Sequence, residues 1–294
     1  MTNADSNDVI VKAWNTVLFD KFLRFKHLLV DGLASHSNEA LARAGYAQGT
    51  RVLDIGCGFG DSTRHIARSV GASGRSVGVD CAPRFVEAAR ADAAAEQVAN
   101  AEFFVADVQA DDLRGPYDAA FSRFGTMFFN LPGAALRNVR KALVPGGEFF
   151  MIVWRRREDN PWLHDAELCV RGLVPVVRHE DTDQVHCGPG PFSMSGPDLV
   201  STMLRSAGYD RITFERFDAD ICIGRNLDEA IEFAMTLGPA GEIMRLAGEE
   251  AEKRKPQVIA ALRETLSRYD KPNGVWGPSS TWFVRARSPR APAS

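Results

Sequence analysis

The sequence is short of cysteine, of long apolar runs and of excess basic charge. Its five cysteines are an odd number at wide spacings with no C-x-x-C pair, which argues against a disulfide framework and a zinc site. The longest clean apolar run covers residues 149–154, far below the roughly 20 residues that span a bilayer. Lys and Arg number 35 against 38 Asp and Glu, so the chain lacks the basic surplus that binds nucleic acid or anionic lipid.

These absences predict a cytoplasmic protein with reduced thiols, no metal, no nucleic-acid partner and no membrane partner. The polar and acidic start, MTNADSNDVI, also differs from a secretory signal. What is present is ordinary, because 45% hydrophobic and 25% charged residues over 294 positions are typical of a globular chain of one large α/β domain with a cap. We expect a small-molecule substrate, and the sequence leaves monomer and homodimer open.

From Arg51 onward short apolar runs alternate with helical stretches, a pattern typical of β-α-β units and a mainly parallel sheet. Repeated prolines after Trp154, beginning with Pro161, favour loop over helix in that region. Residues 227–270 are almost wholly helical in pattern and are interpreted as an inserted lid. The expected strands are 51–55, 75–79, 102–106, 117–121, 147–153, 211–217 and 281–285.

The same patterns divide the chain into a core and its covers. Residues 9–45 carry apolar side chains at spacings of three and four, which predicts two or three amphipathic helices. The predicted division is an N-terminal helical cap at 1–48, an α/β core at 49–222, a helical lid insertion at 223–278, the last core strand at 279–288 and a disordered tail at 289–294.

The strongest signal is the segment VLDIGCGFG at 52–60, a strand that stops in three alternating glycines before a helix. Such a turn brings bare backbone against a ligand. The dinucleotide fingerprint G-x-G-x-x-G is not met, because Asp61 stands where the third glycine belongs. Asp54, directly below the glycines, repels a phosphate but suits the ammonium end of an amino-acid-like cofactor.

Two further acids follow the next predicted strands. Asp80 closes VGVD, twenty-four residues after Gly56, where an acid can accept both hydroxyls of a ribose. Asp107 closes FVAD, where it is placed to face an adenine amino group across the same crevice. All three acids stand at carboxyl ends of predicted strands, the edge at which open α/β sheets bind ligands.

With these residues in register, the sequence resembles the class I S-adenosylmethionine-dependent methyltransferases over roughly residues 49–155, with weaker support at 211–217 and 281–287. The resemblance implies a Rossmann-like α/β fold: a doubly wound, mainly parallel seven-stranded sheet with an antiparallel last strand and helical cap insertions. It implies S-adenosyl-L-methionine as cofactor. The residues that it assigns to cofactor binding are Asp54, Gly56, Cys57, Gly58, Gly60, Asp80, Cys81, Asp107, Val108 and Ser122.

The stretch from Leu136 to Trp154 is most similar to the ubiquinone- and menaquinone-type subgroup, which acts on small molecules. The Asn/Asp-Pro-Pro-aromatic and Pro-Cys sequences of nucleic-acid methylases are absent after Tyr117. Aromatic and Met residues near the expected transfer site are candidates for lining an acceptor pocket, although each taken singly suits a core position as well. They are Trp14, Phe19, Phe124, Met127, Phe128 and Trp162.

The resemblance therefore implies transfer of a methyl group from S-adenosylmethionine to a small-molecule acceptor, by in-line displacement under the helical cap. Displacement at a sulfonium depends on positioning and needs no catalytic triad. The sequence assigns no catalytic residue, although His27 and His164 stand where a base is of use. An NAD(P)-dependent oxidoreductase and a non-catalytic S-adenosylmethionine-binding protein stay open as alternatives, and so does methylation at carbon, nitrogen or oxygen.

Overall fold

The computed structural model describes residues 3–175 and 189–290. Within these ranges a single mixed sheet is covered by helices, and two π-helical turns, Trp14–Leu18 and Leu28–Gly32, interrupt the N-terminal helices. The helices are α1 (Asn3–Ala13), α2 (Phe19–Arg24), α3 (Ala34–Ala44), α4 (Asp61–Val70), α5 (Pro83–Ala95), α6 (Pro132–Lys141), α7 (Pro161–Leu173), α8 (Pro197–Ser206), α9 (Leu227–Thr236), α10 (Gly238–Ala247) and α11 (Glu249–Ser267).

The sheet has the order β3-β2-β1-β4-β5-β8-β6. The neighbours from β3 to β5 are parallel, and β8 is antiparallel to both β5 and β6. The predicted fold class is confirmed, and the two-residue β7, which pairs with the start of β8, is one strand more than predicted. The strands are β1 (Arg51–Ile55), β2 (Arg75–Asp80), β3 (Ala101–Val105), β4 (Tyr117–Arg123), β5 (Leu143–Trp154), β6 (Asp210–Gly224), β7 (Asp270–Lys271) and β8 (Gly274–Arg287).

The strand order reverses next to β1. The chain runs outward from β1 to β2 and β3, and then returns to place β4 on the other side of β1. In open α/β sheets the crevice at such a reversal, beyond the carboxyl ends of the strands, is where ligands bind. The loops that follow the first four strands therefore open onto one crevice.

The turn from β1 into α4 is fixed by close packing at Gly60. Residues Val52 and Leu53 are fully buried, as expected for a parallel strand covered on both faces. Gly60 has a φ of +71°, and a Cβ at this position would lie 2.6 Å from the Phe103 ring and 2.8 Å from the Ala89 side chain. Only glycine satisfies both the left-handed backbone and the contact, so β1 ends and α4 begins at one defined point.

The region after Trp154 differs from the loop that the sequence predicted. Helix α7 begins at Pro161 and runs for 13 residues. Proline is well suited to the first turn of a helix, because the N–H groups there have no intrahelical acceptor. Leu163, Ala166 and Val170, at helical spacing, are buried. The prediction of loop was wrong here because Pro161 starts a helix, and residues 176–188 lie outside the described ranges.

One large apolar cluster runs from the sheet through α6, α7 and α8 into the lid helices. The lid helices α9, α10 and α11 therefore share the core of the sheet. Strand β6 continues to Gly224 and β8 begins at Gly274, so both strands extend into the predicted lid at 223–278. The division into cap, core and lid stays a prediction, and residues 291–294 of the predicted tail lie outside the described ranges.

Candidate functional site

A cavity of about 680 Å³ lies at the carboxyl ends of the parallel strands, within the size range of small-molecule sites. Asp80 and Arg123 line it as the last residues of β2 and β4, and Gly56 and Asp107 line it from the loops that follow β1 and β3. Its other walls come from the N-terminal helices, from the ends of β5 and β6, and from the α9–α10 segment of the lid. One continuous space thus joins the glycine loop to the covers.

The glycine loop leaves room for a ligand at Gly58. This residue has a φ of +52°, and a Cβ built there would meet no atom within 4 Å. Gly56, with a φ of +64°, lies close to the loop after β4, because its Cβ would stand 3.1 Å from the Gly125 Cα. The backbone of the loop is therefore exposed to the cavity at Gly58 and packed at Gly56.

Asp80 is held at the cavity wall by backbone donors. Its Oδ2 accepts a hydrogen bond from the Gly58 N–H at 3.1 Å, and its Oδ1 accepts one from the Ala82 N–H at 3.0 Å. Burial raises the pKa of this carboxyl, while these backbone hydrogen bonds oppose the rise. Burial also raises the pKa of the Cys81 thiol well above its ordinary value, so that Cys81 is a packing residue rather than a nucleophile.

Asp107 is covered by the first helix. The Asn7 amide donates to Asp107 Oδ2, and the Gln109 side chain donates to Asn7 Oδ1 at 2.7 Å and to Asp107 Oδ1 at 3.1 Å. Asn7, Asp107, Val108 and Gln109 all line the cavity. This end of the cavity is therefore a polar cluster that the N-terminal helix closes.

Arg123 and Asp61 form an ion pair in the cavity wall. The Arg123 guanidinium lies 2.7 Å from an Asp61 carboxylate oxygen, and their side chains are only 11% and 16% exposed. A second Arg123 nitrogen donates to Ser37 Oγ of α3 at 2.9 Å. Because the pair is largely withdrawn from solvent, it presents one positive and one negative group of fixed position to the cavity.

The half of the cavity away from the glycine loop is mainly apolar and aromatic. The Phe124 ring stacks on the Trp154 ring with centroids 4.3 Å apart and planes at 17°. Trp14 packs edge-on against Phe128 at 5.0 Å, and Trp162 stacks on Phe233 of α9. All of these rings line the cavity, which suits an acceptor with an apolar body.

The charged side chains in this half are few, and histidine is not among them. Lys21, Arg157, Glu242 and Arg245 line the cavity. Arg157 pairs with Glu167 at 2.9 Å, and Arg245 pairs with Glu242 at 2.7 Å. Of the histidines in the described ranges, none lines this cavity.

His27 and His164, which the sequence placed where a general base is of use, both lie outside the cavity lining. The His27 ring lies 3.1 Å from Glu229, and His164 Nδ1 is buried without a hydrogen-bond partner. Across residues 3–175 and 189–290 there is no group of three or more side chains suited to hold a metal ion. In the same ranges no helix is both long and apolar enough to cross a membrane.

Known proteins match the chain over the part that builds this crevice. A methyltransferase domain family matches residues 52–147. The chain is 26% identical over 175 residues to a 2-phytyl-1,4-naphtoquinone methyltransferase of Thermosynechococcus vestitus, over 56% of this chain and 74% of that protein. It is 25% identical over 186 residues to the ubiquinone/menaquinone biosynthesis C-methyltransferase UbiE of Pseudomonas aeruginosa, over 60% and 72% respectively. The chain thus carries a methyltransferase domain at residues 52–147 and is similar to class I S-adenosylmethionine-dependent methyltransferases.

The fold of this methyltransferase also matches a solved structure. The YcgJ protein of Bacillus subtilis superposes with a TM-score of 0.56 at 17% identity, over 87% of this chain and 100% of that one. The predicted family, quinone-type similarity, cofactor and fold are confirmed. The activity supported by these matches is methyl transfer from S-adenosylmethionine, which sets the oxidoreductase and the non-catalytic binding protein aside.

The structure brings most of the predicted site residues of the methyltransferase together. Those that line the cavity are Gly56, Cys57, Gly58, Asp80, Cys81, Asp107, Val108, Trp14, Phe124, Met127, Phe128 and Trp162. Four others do not line it. Gly60 packs behind the loop, Ser122 Oγ donates to the Ile55 carbonyl at 2.8 Å, and Phe19 packs against Phe85 in a separate cluster.

Asp54, the fourth, supports the site from beneath. It is fully buried, and its Oδ2 accepts hydrogen bonds from Ser62 Oγ at 2.7 Å and Thr63 Oγ1 at 2.6 Å in the first turn of α4. Its Oδ1 has no hydrogen-bond partner within the described ranges. Burial raises its pKa to about 6. Its geometry is that of a residue that anchors the glycine-loop helix.

Sequence reasoning missed several residues of the cavity. Arg123 and Asp61 are 62 positions apart, and Asn7 lies 100 positions before Asp107. The sequence pattern gives Trp154 no place in the site, because it stands at the end of the stretch similar to the quinone-type subgroup. Arg123 could have been found from its place at the carboxyl end of β4, because Asp80 and Asp107 were predicted as site residues from the same edge of the sheet. No comparable signal marks Asn7, because its place depends on how the N-terminal helices fold back.

The residues present fit S-adenosylmethionine. Gly58 leaves open space where a side chain would stand, the Asp80 carboxylate borders that space and can accept from hydroxyl groups, and Asp61 and Arg123 offer opposite charges for an amino acid that carries both an ammonium and a carboxylate. The fit therefore rests on the open space at Gly58 and on the charges of Asp61 and Arg123.

Proposed function

We propose that the methyltransferase holds S-adenosylmethionine along the loops after β1, β2, β3 and β4, and an apolar acceptor between those loops and the helical covers. The observation that carries this proposal is the continuity of one cavity from Gly58 to the rings at Phe124 and Trp154. A methyl donor at one end and an acceptor at the other then share a space that is closed by helices. Such closure keeps water from the transfer.

Each part of the cofactor has residues of matching chemistry. The amino-acid end meets the Gly56–Gly58 backbone, with Asp61 for the ammonium and Arg123 for the carboxylate, while Asp54 fixes the helix below. The ribose hydroxyls meet Asp80. Cys81 and Val108 would hold the adenine, and Asp107 would accept a hydrogen bond from its amino group. Gly60 and Ser122 act through the loops that they hold in place.

The reaction depends on placement and on exclusion of water. When bound, S-adenosylmethionine supplies an electrophilic methyl carbon. The side chains of Phe124, Met127 and Phe128 surround the transfer site with an apolar wall, which favours a step in which charge disappears. Trp14 and Trp162 hold the body of the acceptor. With no described histidine in the lining, we propose that the acceptor needs little help from a general base.

The wider predictions are proposed on the same basis. The net charge of −3 supports a protein that binds no nucleic acid, and the free thiols of the cysteines in the described ranges support a place in the cytoplasm. The helices up to α3 form the cap and those from α9 to α11 form the lid, and both contribute lining residues. Substrate choice then belongs to the cap and lid, and cofactor binding to the strand-end loops.

Calorimetry tests the proposal directly. We expect S-adenosylhomocysteine to bind at least 10-fold more tightly than NADH, because the loop lacks the dinucleotide spacing. Leu237→Ala, a lid residue that lines the cavity, should raise the KM for an acceptor several-fold and leave S-adenosylhomocysteine affinity unchanged. The exposed Leu199→Ala on α8 is the matched control. Equal affinities for S-adenosylhomocysteine and NADH would contradict the cofactor assignment. A loss of S-adenosylhomocysteine affinity in Leu237→Ala as large as the rise in the acceptor KM would contradict the assignment of the lid to the acceptor.

A further inference from the structure

Phe124 has a left-handed backbone. Its φ is +57°, a conformation that residues with a Cβ adopt at an energetic cost and that glycine adopts freely. The next residue, Gly125, lies against the glycine loop, since a Cβ on Gly56 would stand 3.1 Å from the Gly125 Cα. The strained turn is thus placed beside the cofactor loop. Strain of this kind persists where the surrounding structure holds it and is concentrated at functional sites.

The strained backbone places the Phe124 ring on a rigid support. The Trp154 ring stacks against it at 4.3 Å, and Trp154 itself is only 7% exposed. The His36 ring packs edge-on against both rings, at 6.2 Å and 5.8 Å. The Phe124 ring, half-buried, is therefore the layer of this stack that is more open to the cavity.

The support behind the rings is itself anchored. The His36 ring is hydrogen-bonded on one side to Ser279 Oγ at 2.7 Å and on the other to Thr281 Oγ1 at 3.0 Å, both on β8. His36 is fully buried. Rings from the turn after β4, from β5 and from α3 thus form one block whose cavity-facing member, Phe124, cannot rotate away without breaking the stack. A rigid aromatic face costs little conformational entropy when a ligand stacks on it.

We propose that Phe124 is a stacking platform that selects a planar aromatic ring as the methyl acceptor. This inference rests on the proposed function, because it names the acceptor class of the same cavity. A flat ring lies against Phe124 in an offset or edge-to-face arrangement, and such aromatic pairs gain affinity beyond that of apolar area alone. A saturated ring of the same skeleton buries similar apolar area but lacks this gain.

The test compares 2-naphthol with decahydro-2-naphthol, which share a carbon skeleton and a hydroxyl group and differ in planarity. Binding is measured by calorimetry with and without saturating S-adenosylhomocysteine. We expect the native protein to bind 2-naphthol about 10-fold more tightly than its saturated counterpart, a ratio that corresponds to the upper part of the range for one aromatic pair. Phe124→Leu should reduce the ratio to 2-fold or less with S-adenosylhomocysteine affinity unchanged.

Two further variants make the outcome decisive. Phe124→Tyr keeps the ring and should keep the ratio, which separates loss of stacking from loss of folding. Phe214→Leu removes a half-buried ring on β6 outside the cavity. It should change neither the ratio of the two alcohol affinities nor the affinity for S-adenosylhomocysteine. Equal binding of the two alcohols by the native protein, or a ratio that survives in Phe124→Leu, overturns the platform. Failure of S-adenosylhomocysteine to bind overturns the proposed function instead, and the ratio measured without it still decides the platform.

Discussion

The Gly58 N–H donates a hydrogen bond to Asp80 Oδ2 at 3.1 Å, which ties the loop after β1 to the end of β2. Asp80 therefore both holds the glycine loop in place and lines the cavity. We expect Asp80→Ala to weaken S-adenosylhomocysteine binding at least 10-fold, because hydrogen bonds to a charged acceptor contribute about 1.5–3 kcal/mol. Asp80→Asn, which keeps one acceptor oxygen, should fall between Asp80→Ala and the native protein in calorimetry.

The control for this pair is Asp210→Ala, at the exposed start of β6, which should leave the affinity unchanged. If Asp80→Ala binds as tightly as the native protein, Asp80 is not a cofactor-binding residue. If Asp80→Asn is as weak as Asp80→Ala, the charge of Asp80 matters more than its acceptor geometry.

Asp54 should make the protein less stable as the pH rises. Its ordinary pKa of 3.8 is raised to about 6 by burial in the folded state. Below pH 3.8 both states are protonated, whereas between about 3.8 and 6 the unfolded state ionises first and is favoured. At 1.36 kcal/mol per pH unit between the two values, the loss reaches about 3 kcal/mol by pH 7. In urea unfolding, the free energy of unfolding of Asp54→Asn should therefore rise by about 3 kcal/mol relative to that of the native protein between pH 3.8 and 7, whereas the exposed Asp210→Asn should differ from the native protein by a constant amount.

His36 should act in the opposite direction. Burial lowers its pKa from 6.5 to about 4, so the folded state holds it neutral. As the pH falls from 6.5 toward 4, the unfolded state takes up the proton first, and roughly 3 kcal/mol of stability is lost. Because this contribution opposes that of Asp54 over nearly the same pH window, it is measured as a difference from the native protein. Between pH 4 and 6.5 the free energy of unfolding of His36→Gln should fall by roughly 3 kcal/mol relative to that of the native protein. A constant difference across that window would show that His36 does not titrate as a buried neutral ring.

The cofactor half of the site was largely predictable because local sequence order determines it. A strand that ends in Gly56 and Gly58 must turn sharply, and acids at the ends of the next two strands must come to the same edge of a parallel sheet. Asp80 and Asp107 line the cavity for that reason. Asp54 follows the same pattern in sequence but does not line the cavity, because it lies one residue before the end of β1 and accepts hydrogen bonds from Ser62 and Thr63 at the start of α4.

The acceptor half was less predictable because it depends on contacts distant in sequence. Phe124 was a candidate from its position, but its partner Trp154 became visible only when β4 and β5 were paired in register. The ion pair of Arg123 with Asp61 requires the α4 start and the β4 end to meet. Helix α7, which brings Trp162 to the cavity, was not predicted, because Pro161 was interpreted as a loop residue and instead begins the helix.

The left-handed backbone of Phe124 gives a stability prediction that reverses the usual ranking of alanine and glycine. Elsewhere glycine destabilises a protein relative to alanine by roughly 0.5–1 kcal/mol, because the unfolded chain gains freedom. At a φ of +57° alanine carries a steric cost of roughly 1–2 kcal/mol that glycine avoids. Both Phe124→Ala and Phe124→Gly lose the ring and its stack on Trp154 equally. We therefore expect Phe124→Gly to unfold at higher urea concentration than Phe124→Ala, by a free energy of about 1 kcal/mol.

Phe214 on β6 supplies the matched pair for this measurement. In a strand, glycine weakens the structure relative to alanine, so Phe214→Ala should be more stable than Phe214→Gly. Opposite signs at the two positions isolate the backbone contribution of Phe124 from the packing of its ring. If Phe124→Ala is more stable than Phe124→Gly by the roughly 0.5–1 kcal/mol found at unstrained positions, no strain is stored in the turn, and the ring rests on Trp154 without conformational cost. Both Phe124 variants should retain S-adenosylhomocysteine binding, because the strained turn orients the acceptor face of the cavity.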